Sequence, residues 1–310
     1  MDALSEVLRL SRFTGAVVAD VSARGPWCVA FPAGETRAFA HLMLEGRAQV
    51  HVGSGELVTL QPGDLAFLPG GPAHLVGSDL DAPATALAAL TKRAVPGDPA
   101  PVSLGAYGTR ARWIPLAFSW EHHLGASLFS QLPAIVHVPL RGTAPLEWLS
   151  DSLGLALTGS DAPRAGGEAT RARLAELVLV EALRRHVEAQ PPGGTGWLAA
   201  LGDRHVGAAL ALVHGRPGED WTVEKLGRQV GLSRSALAER FTQRMGEPVI
   251  AFLTHVRLQL AAEELVATTR SIESVSEEAG YESVTAFSRA FKRAFGKPPS
   301  VWRVKARRKR

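Results

Sequence analysis

Between residues 13 and 90 the apolar residues come in short runs: His41-Leu42-Met43-Leu44, Ala48-Gln49-Val50-His51-Val52 and Leu65-Ala66-Phe67-Leu68. Glycine and proline punctuate them at Glu45-Gly46, Gly53-Ser54-Gly55, Pro62-Gly63-Asp64 and Pro69-Gly70-Gly71-Pro72. Such runs between turn residues predict strands, and many short strands at this spacing predict a small barrel or jelly roll. Residues 91–103, rich in proline and polar groups, read as a loop. From 168 to 189 breakers are few and the pattern predicts a helix. Leu174, Leu177 and Val178 mark one apolar stripe on it, and Val180, Leu183 and Val187 another. A helix apolar over so much of its surface needs two surfaces to pack against. Its own barrel supplies one. The other is either a second subunit or the interior of the same monomer. Gln190-Pro191-Pro192-Gly193-Gly194-Thr195-Gly196 then predicts a linker.

Beyond the linker the pattern repeats itself. Thr222-Val223-Glu224, Leu226 and Gly231 recur as Ser271-Ile272-Glu273, Val275 and Gly280, at an offset of 49. Past the turn the offset is 50: Ser233, Leu237, Phe241, Gly246 and Pro248 fall on Ser283, Phe287, Phe291, Gly296 and Pro298. The second turn is therefore one residue longer. Each copy, 222–252 and 271–302, reads as a helix, a glycine turn and a second helix, which is the helix-turn-helix pattern. In such units the second helix enters a DNA major groove.

Spacing sorts the side chains of each predicted recognition helix. Val223–Val230 form the first scaffold helix, Gly231 permits the turn and Ser233 is the N-cap. Leu237 and Phe241 stand four apart and point into the core, which leaves Arg234, Ser235, Ala238, Glu239 and Thr242 outward. In the second copy Ser283 caps and Phe287, Phe291 and Phe295 pack inward, so Val284, Thr285, Ser288, Arg289 and Lys292 lie outward. Arg289 either grips guanine through two hydrogen bonds or binds a phosphate. Glu239 holds the equivalent place in the first copy. An acid accepts from cytosine and repels phosphate, so the two helices are expected to read different bases. Residues 248–266 predict one connecting helix, whose 19 residues span roughly 28 Å at about 1.5 Å each. That is close to one turn of B-DNA, about 34 Å. Arg257 on this helix is placed to reach a phosphate.

Charge sharpens the division. The chain of 310 residues carries a formal net charge of +4. Residues 203–310 hold 19 Lys and Arg against 12 Asp and Glu, whereas residues 1–202 hold 15 against 18. The basic excess sits wholly in the half that carries the repeat; on charge alone it is a solvated basic face, and together with the repeat it is a surface that attracts a polyphosphate through counterion release. The 46% hydrophobic content supports ordinary cores. No apolar run approaches the roughly 20 residues that span a bilayer, and the start Met-Asp-Ala-Leu-Ser-Glu is unlike a signal peptide. A soluble, cytoplasmic protein is expected. The single cysteine, Cys28, excludes an internal disulfide and a Cys-rich zinc site.

Gly280-Tyr281-Glu282-Ser283, Ala286-Phe287-Ser288-Arg289-Ala290-Phe291-Lys292-Arg293 and Phe295-Gly296-Lys297-Pro298-Pro299-Ser300 resemble the AraC/XylS family of bacterial transcription regulators. The resemblance covers about residues 203–304 and implies seven helices, with two helix-turn-helix units joined by a linker helix. The chain departs from the family at Gly227 and Ser276, where alanine is usual; both are small, so close helix approach is kept. His41-Leu42-Met43-Leu44-Glu45-Gly46, Pro62-Gly63-Asp64 and Pro69-Gly70-Gly71-Pro72-Ala73-His74 resemble the cupin-type N-terminal domain of one branch of that family. Leu132-Pro133, the helix near 170–187, Trp197-Leu198 and Trp221-Thr222 extend the similarity over most of the chain.

The expected fold class is thus an α+β multidomain chain. A cupin-like sensing domain spans 1–145, a helical dimerisation segment 146–190, a linker 191–202, the DNA-binding domain 203–304 and a disordered basic tail 305–310. The expected function is sequence-specific transcription regulation, without enzymatic activity. Partners are double-stranded promoter DNA and a second copy of the chain, with a small-molecule effector and RNA polymerase as further candidates and no membrane. Two alternatives stand beside this reading. A metal-dependent cupin enzyme would use His74, which fits the P-x-G-x-x-H ligand pattern, but the partner H-x-H motif is missing and three or four ligands are required. His41 and His74 then either line an effector pocket or form a structural pair, and no metal or cofactor is expected. A redox switch would use Cys28, although Trp27 and Val29 beside it suggest apolar surroundings that suppress a thiolate. The segment after the barrel reads Leu104-Gly105-Ala106-Tyr107, without the cysteine this branch often has there. His122-His123, adjacent in sequence, point in different directions and make a poor metal pair.

Overall fold

The structure is a computed structural model describing residues 4–5, 8, 13–34, 37–53, 55–91, 101–120, 132–139, 144–157, 165–189 and 194–307. The described residues between 13 and 189 form one compact unit and those from 194 to 307 a second.

The first unit is built on strands β1 (Thr14–Val17), β2 (Asp20–Arg24), β3 (Cys28–Phe31), β4 (Arg37–Glu45), β5 (Ala48–Val52), β6 (Leu57–Leu60), β7 (Asp64–Leu68), β8 (His74–Gly77), β9 (Ala84–Ala86), β10 (Pro101–Leu104), β11 (Arg110–Ser119) and β12 (Val136–Pro139). One sheet runs β10-β2-β11-β4-β7-β12 with β1 on β11, and the other β6-β5-β8-β3-β9. A short helix α1 (Leu87–Leu90) follows β9. Strand β4 is buried on both faces. Phe39 and Met43 join Val29, Val50, Leu68, Val76 and Trp113 in a core drawn from both sheets. Ala38, Ala40 and Leu42 alternate to the opposite face. There helix α2 (Ala144–Leu157) packs on β4, and α3 (Gly167–Glu188) on β1 and β12.

Two expectations shift here. Pro101–Leu104, at the end of the expected loop, is a strand paired in parallel with β2, with Val102 opposite Val21. It is an edge strand with proline at its first residue, where the missing N–H costs no ladder bond. Residues 92–100 of that loop lie outside the described residues. Helix α3 forms within a residue of its expected bounds, but its buried face is Arg171, Ala175, Val178, Leu179, Ala182 and Leu183. Leu177, assigned to an apolar stripe, is 49% exposed. Small alanines let α3 approach the sheet closely, and Glu176 accepts a hydrogen bond from the Gly15 amide at 3.2 Å.

Residues 190–193 of the expected linker are outside the described residues, whereas Trp197–Gly202 within it form helix α4. Helix α4 packs on α5 (Arg204–Gly215) and α7 (Arg234–Met245). The remaining helices are α6 (Val223–Val230), α8 (Val249–Ala267), α9 (Ile272–Glu278), α10 (Val284–Phe295) and α11 (Pro299–Arg307). Seven helices thus lie between Arg204 and Arg307, the number the family resemblance implies. Helix α8 serves both halves. Its Phe252 meets Phe241 edge-on at 5.7 Å, while Leu258, Ala262 and Leu265 join Val275, Phe287 and Phe291 in a separate core. Lys305–Arg307, expected to be disordered tail, continue α11, and residues 308–310 are outside the described residues. Among the described residues no helix is long and apolar enough to cross a membrane.

Candidate nucleic-acid interface

The repeat in sequence becomes a repeat in capping. Thr222 Oγ1 accepts from the Lys225 amide at 3.1 Å and Ser271 Oγ from the Ser274 amide at 3.0 Å, opening the two scaffold helices. Ser233 Oγ accepts from the Ala236 amide and Ser283 Oγ from the Ala286 amide, both at 3.2 Å, opening α7 and α10. Each cap satisfies one of the amides a helix start leaves orphaned. Gly231 (φ 75°) and Gly280 (φ 77°) turn the chain between helices in the left-handed region. Gly227 sits where the first pair of helices crosses: a Cβ there would stand 2.8 Å from the Leu232 carbonyl oxygen. Its counterpart Ser276 is buried, in the unit whose turn is one residue longer.

With Leu237, Phe241, Phe287 and Phe291 buried, the opposite faces are presented to solvent. Arg234, Ser235, Glu239 and Thr242 are exposed on α7, and Ala238 is half-buried. On the second unit Ser283, Val284, Thr285, Arg289 and Lys292 are exposed, with Ser288 half-buried. Arg257, expected to reach a phosphate, also has partners within the protein. Its Nε donates to the Pro217 carbonyl and its Nη2 to the Glu219 carbonyl, both at 2.8 Å. Arg257 therefore braces the segment before α6, and Nη1 with the second N–H of Nη2 remains for a phosphate.

One residue escaped the sequence reading. Asp203 caps α5 by accepting from the amides of His205 and Val206, each at 3.1 Å. The same carboxylate accepts from Arg240 Nε at 2.9 Å and Arg244 Nε at 3.3 Å, both on α7. Its side chain is only 2% exposed. Burial raises its pKa, but the two amides and Arg240 outweigh that and hold the carboxyl below its ordinary value. An aspartate before a helix signals a cap; nothing local signals its two arginines.

In the first unit His41 on β4 and His74 on β8 meet across the core, Nε2 to Nε2 at 2.9 Å. His74 Nδ1 lies 2.7 Å from the Pro72 carbonyl, which can only accept, so His74 carries its proton there. His74 Nε2 then accepts from His41 Nε2–H, and His41 Nδ1 is left bare and without a partner. Phe31 stacks on His74 at 4.7 Å and meets His41 edge-on at 4.7 Å. Burial, with a smaller contribution from His74, drives the His41 pKa far down; burial takes His74 to about 4 against the Pro72 hydrogen bond. The pair is neutral and apolar-walled. Two imidazoles fall short of the three or four donors a cupin metal needs, and no group of three His, Cys, Asp or Glu among the described residues is arranged to hold one. The geometry favours the structural pair. A separate cleft of about 740 Å³ opens beside Trp27, lined by Arg47, Ser78, Asp79, Thr109 and Arg110. Cys28 is buried, and burial and then Asp79 raise its thiol pKa, which disfavours the thiolate a redox switch requires. His122 and His123 lie outside the described residues.

Residues 2–188 match a Cupin family model, and residues 226–305 match a helix-turn-helix domain model. An AraC-like protein of Streptomyces antibioticus is 32% identical over 98% of each chain. The chain belongs to the AraC family of transcription regulators. Like the family's other members, this AraC-family protein is a DNA-binding transcription regulator. The HTH-type transcriptional regulator AlkR of Acinetobacter baylyi is 29% identical, over 98% of this chain and 99% of its own. Among solved structures, the DNA-binding domain of AdpA, in complex with a target DNA, is 25% identical. It covers 35% of this chain and 96% of its own, with a TM-score of 0.33.

Proposed function

We propose that this regulator binds promoter DNA as a homodimer and lays α7 and α10 in successive major grooves. The observation that carries the reading is the matched pair of serine-capped helices, each with two buried apolar anchors behind and a polar face outward. Arg234, Ser235, Ala238, Glu239 and Thr242 meet one groove, and Val284, Thr285, Ser288, Arg289 and Lys292 the next. Helix α8, 19 residues long, spans roughly 28 Å between the units, of the order of one duplex turn. The segment 146–190 dimerises, and the barrel senses a small-molecule effector, for which the cleft beside Trp27 is better suited than the closed histidine pair. RNA polymerase is the partner to which the bound regulator reports, in the cytoplasm.

A gel-shift series on upstream genomic fragments tests the reading. Preference for one fragment over random DNA at physiological salt is expected, and its absence would count decisively against the proposal. Effector sensing is tested separately, by thermal-shift screening of small molecules against the Arg110→Ala variant in parallel with the wild type.

A further inference from the structure

The second helix-turn-helix unit holds a cleft of about 460 Å³ between α8, the α9–α10 turn and α10. Three guanidinium groups line it, from Arg257, Arg289 and Arg293, and no carboxylate does. Arg289 and Arg293 are exposed and form no ion pair among the described residues. The Nη1 of Arg257 lies against Gly280, where an added Cβ would stand 2.8 Å from it. The Tyr281 hydroxyl is buried at the same cleft and has no hydrogen-bond partner. Phe287 holds its ring edge-on at 5.5 Å. Burial raises the phenol pKa, while Arg293 and Arg257 work the other way, which places both cations within its field. A buried hydroxyl left unpaired is destabilising, so the site asks for an acceptor from outside. Every polar side-chain group named here is a donor, and three are positive. The ligand chemistry this selects is an oxyanion of phosphate type. The first unit lacks the feature: fifty positions earlier, Arg289 and Arg293 are matched by Glu239 and Gln243.

We propose that this cleft seats one backbone phosphate of the bound duplex, with Arg293 and Arg257 Nη1 on its free oxygens and the Tyr281 hydroxyl donating a third bond. The assignment rests on the DNA-binding reading above. It also divides labour on α10: Arg293 fixes the register on the backbone, and Arg289, at the rim, is released to the neighbouring base edge.

The test titrates full-length wild type, Arg293→Gln and Tyr281→Phe with labelled operator and random duplexes across a salt series. Arg293→Gln should weaken binding about tenfold on both sequences and flatten the slope of log K against log salt by about 0.9. Tyr281→Phe should weaken binding several-fold with the slope unchanged, because a neutral donor displaces no counterion. Methylphosphonate scanning of the operator should reveal one position that weakens wild type and has no further effect on Arg293→Gln. Variants that match wild type in affinity and slope, or a scan with no such position, would overturn the phosphate seat while the DNA reading stands. Wild type that binds no duplex removes both. If pyrophosphate raises the melting temperature of wild type and not of Arg293→Gln while DNA affinity is equal in both, the cleft serves a soluble phosphate compound and the DNA assignment is wrong.

Discussion

Asp203 does two jobs with one carboxylate, ending the orphan amides of α5 and anchoring α7 through Arg240 and Arg244. Removing it takes away an N-cap, worth about 1 kcal/mol, and the partner of exposed Arg240 and half-buried Arg244. Asp203→Ala should therefore lower the stability of the DNA-binding unit by about 2–4 kcal/mol, read from the urea midpoint. Its folded pKa lies below the ordinary value of about 3.9. The contribution is thus complete above about pH 4 and is lost as pH falls through the folded value. Asp203→Asn should weaken the unit at neutral pH and remove this part of the acid limb. The histidine pair acts in a higher window. His41 and His74 resist protonation when folded, His74 down to about 4, whereas an unfolded histidine titrates near about 6.5. Below that pH the unfolded chain binds more protons, so barrel stability erodes as pH falls from about 6.5. Calorimetry should show the barrel transition falling between pH 7 and pH 5. Replacing both residues by leucine should flatten that slope, and a slope unchanged by the substitution would mean other groups carry it.

The serine caps act on whole helices. Ser233→Ala and Ser283→Ala should each cost about 1 kcal/mol, and the glycine versions only a few tenths. The loss should appear as faster amide exchange in the first turn of α7 or α10 and as weaker DNA binding. Equal protection in the alanine and glycine variants would show that the caps contribute nothing. These helices were legible because their determinants are local: a capping serine, apolar residues four apart and a glycine after the last turn. The 49-then-50 offset even located the longer second turn. What the sequence hid depends on partners far along the chain. Strand β10 is defined by β2, some eighty residues earlier. The packing face of α3 keeps Val178 and Leu183 from the expected stripes but adds Ala175 and Ala182, whose small side chains give a weak periodic signal beside Leu174 and Leu177. The bracing role of Arg257 was hidden because its two carbonyl acceptors, on Pro217 and Glu219, are close only in the fold. Tyr281 and Arg293 lay inside a recognised motif, yet only the cleft that joins them to Arg257 gives them a shared role.

For the molecule as a whole, the division of charge and the two proposed recognition helices set what DNA binding should look like. Arg289→Ala should cost about 1–3 kcal/mol and relax preference at one base pair; an equal loss on every sequence would make it a second phosphate ligand instead. The proposed dimerisation would set how far such losses matter. Helix α3 turns its buried face to its own barrel and leaves Leu177 49% exposed, and α2 leaves Trp148 63% exposed. Exposed large apolar side chains on two packed helices offer a surface that a second copy can cover. Tethering two DNA-binding units in one dimer turns the second binding event into an intramolecular one, worth about 100-fold or more in affinity. Leu177→Glu together with Trp148→Lys should shift sedimenting dimer to monomer. The variant should keep wild-type affinity for a single half-site, because no residue of the reading helices is touched, and lose about 100-fold on the complete operator. Equal losses on half-site and operator would point to a folding defect. A wild type that sediments as monomer and binds both with the same affinity would mean that one chain, with its two helices, is the whole reading head.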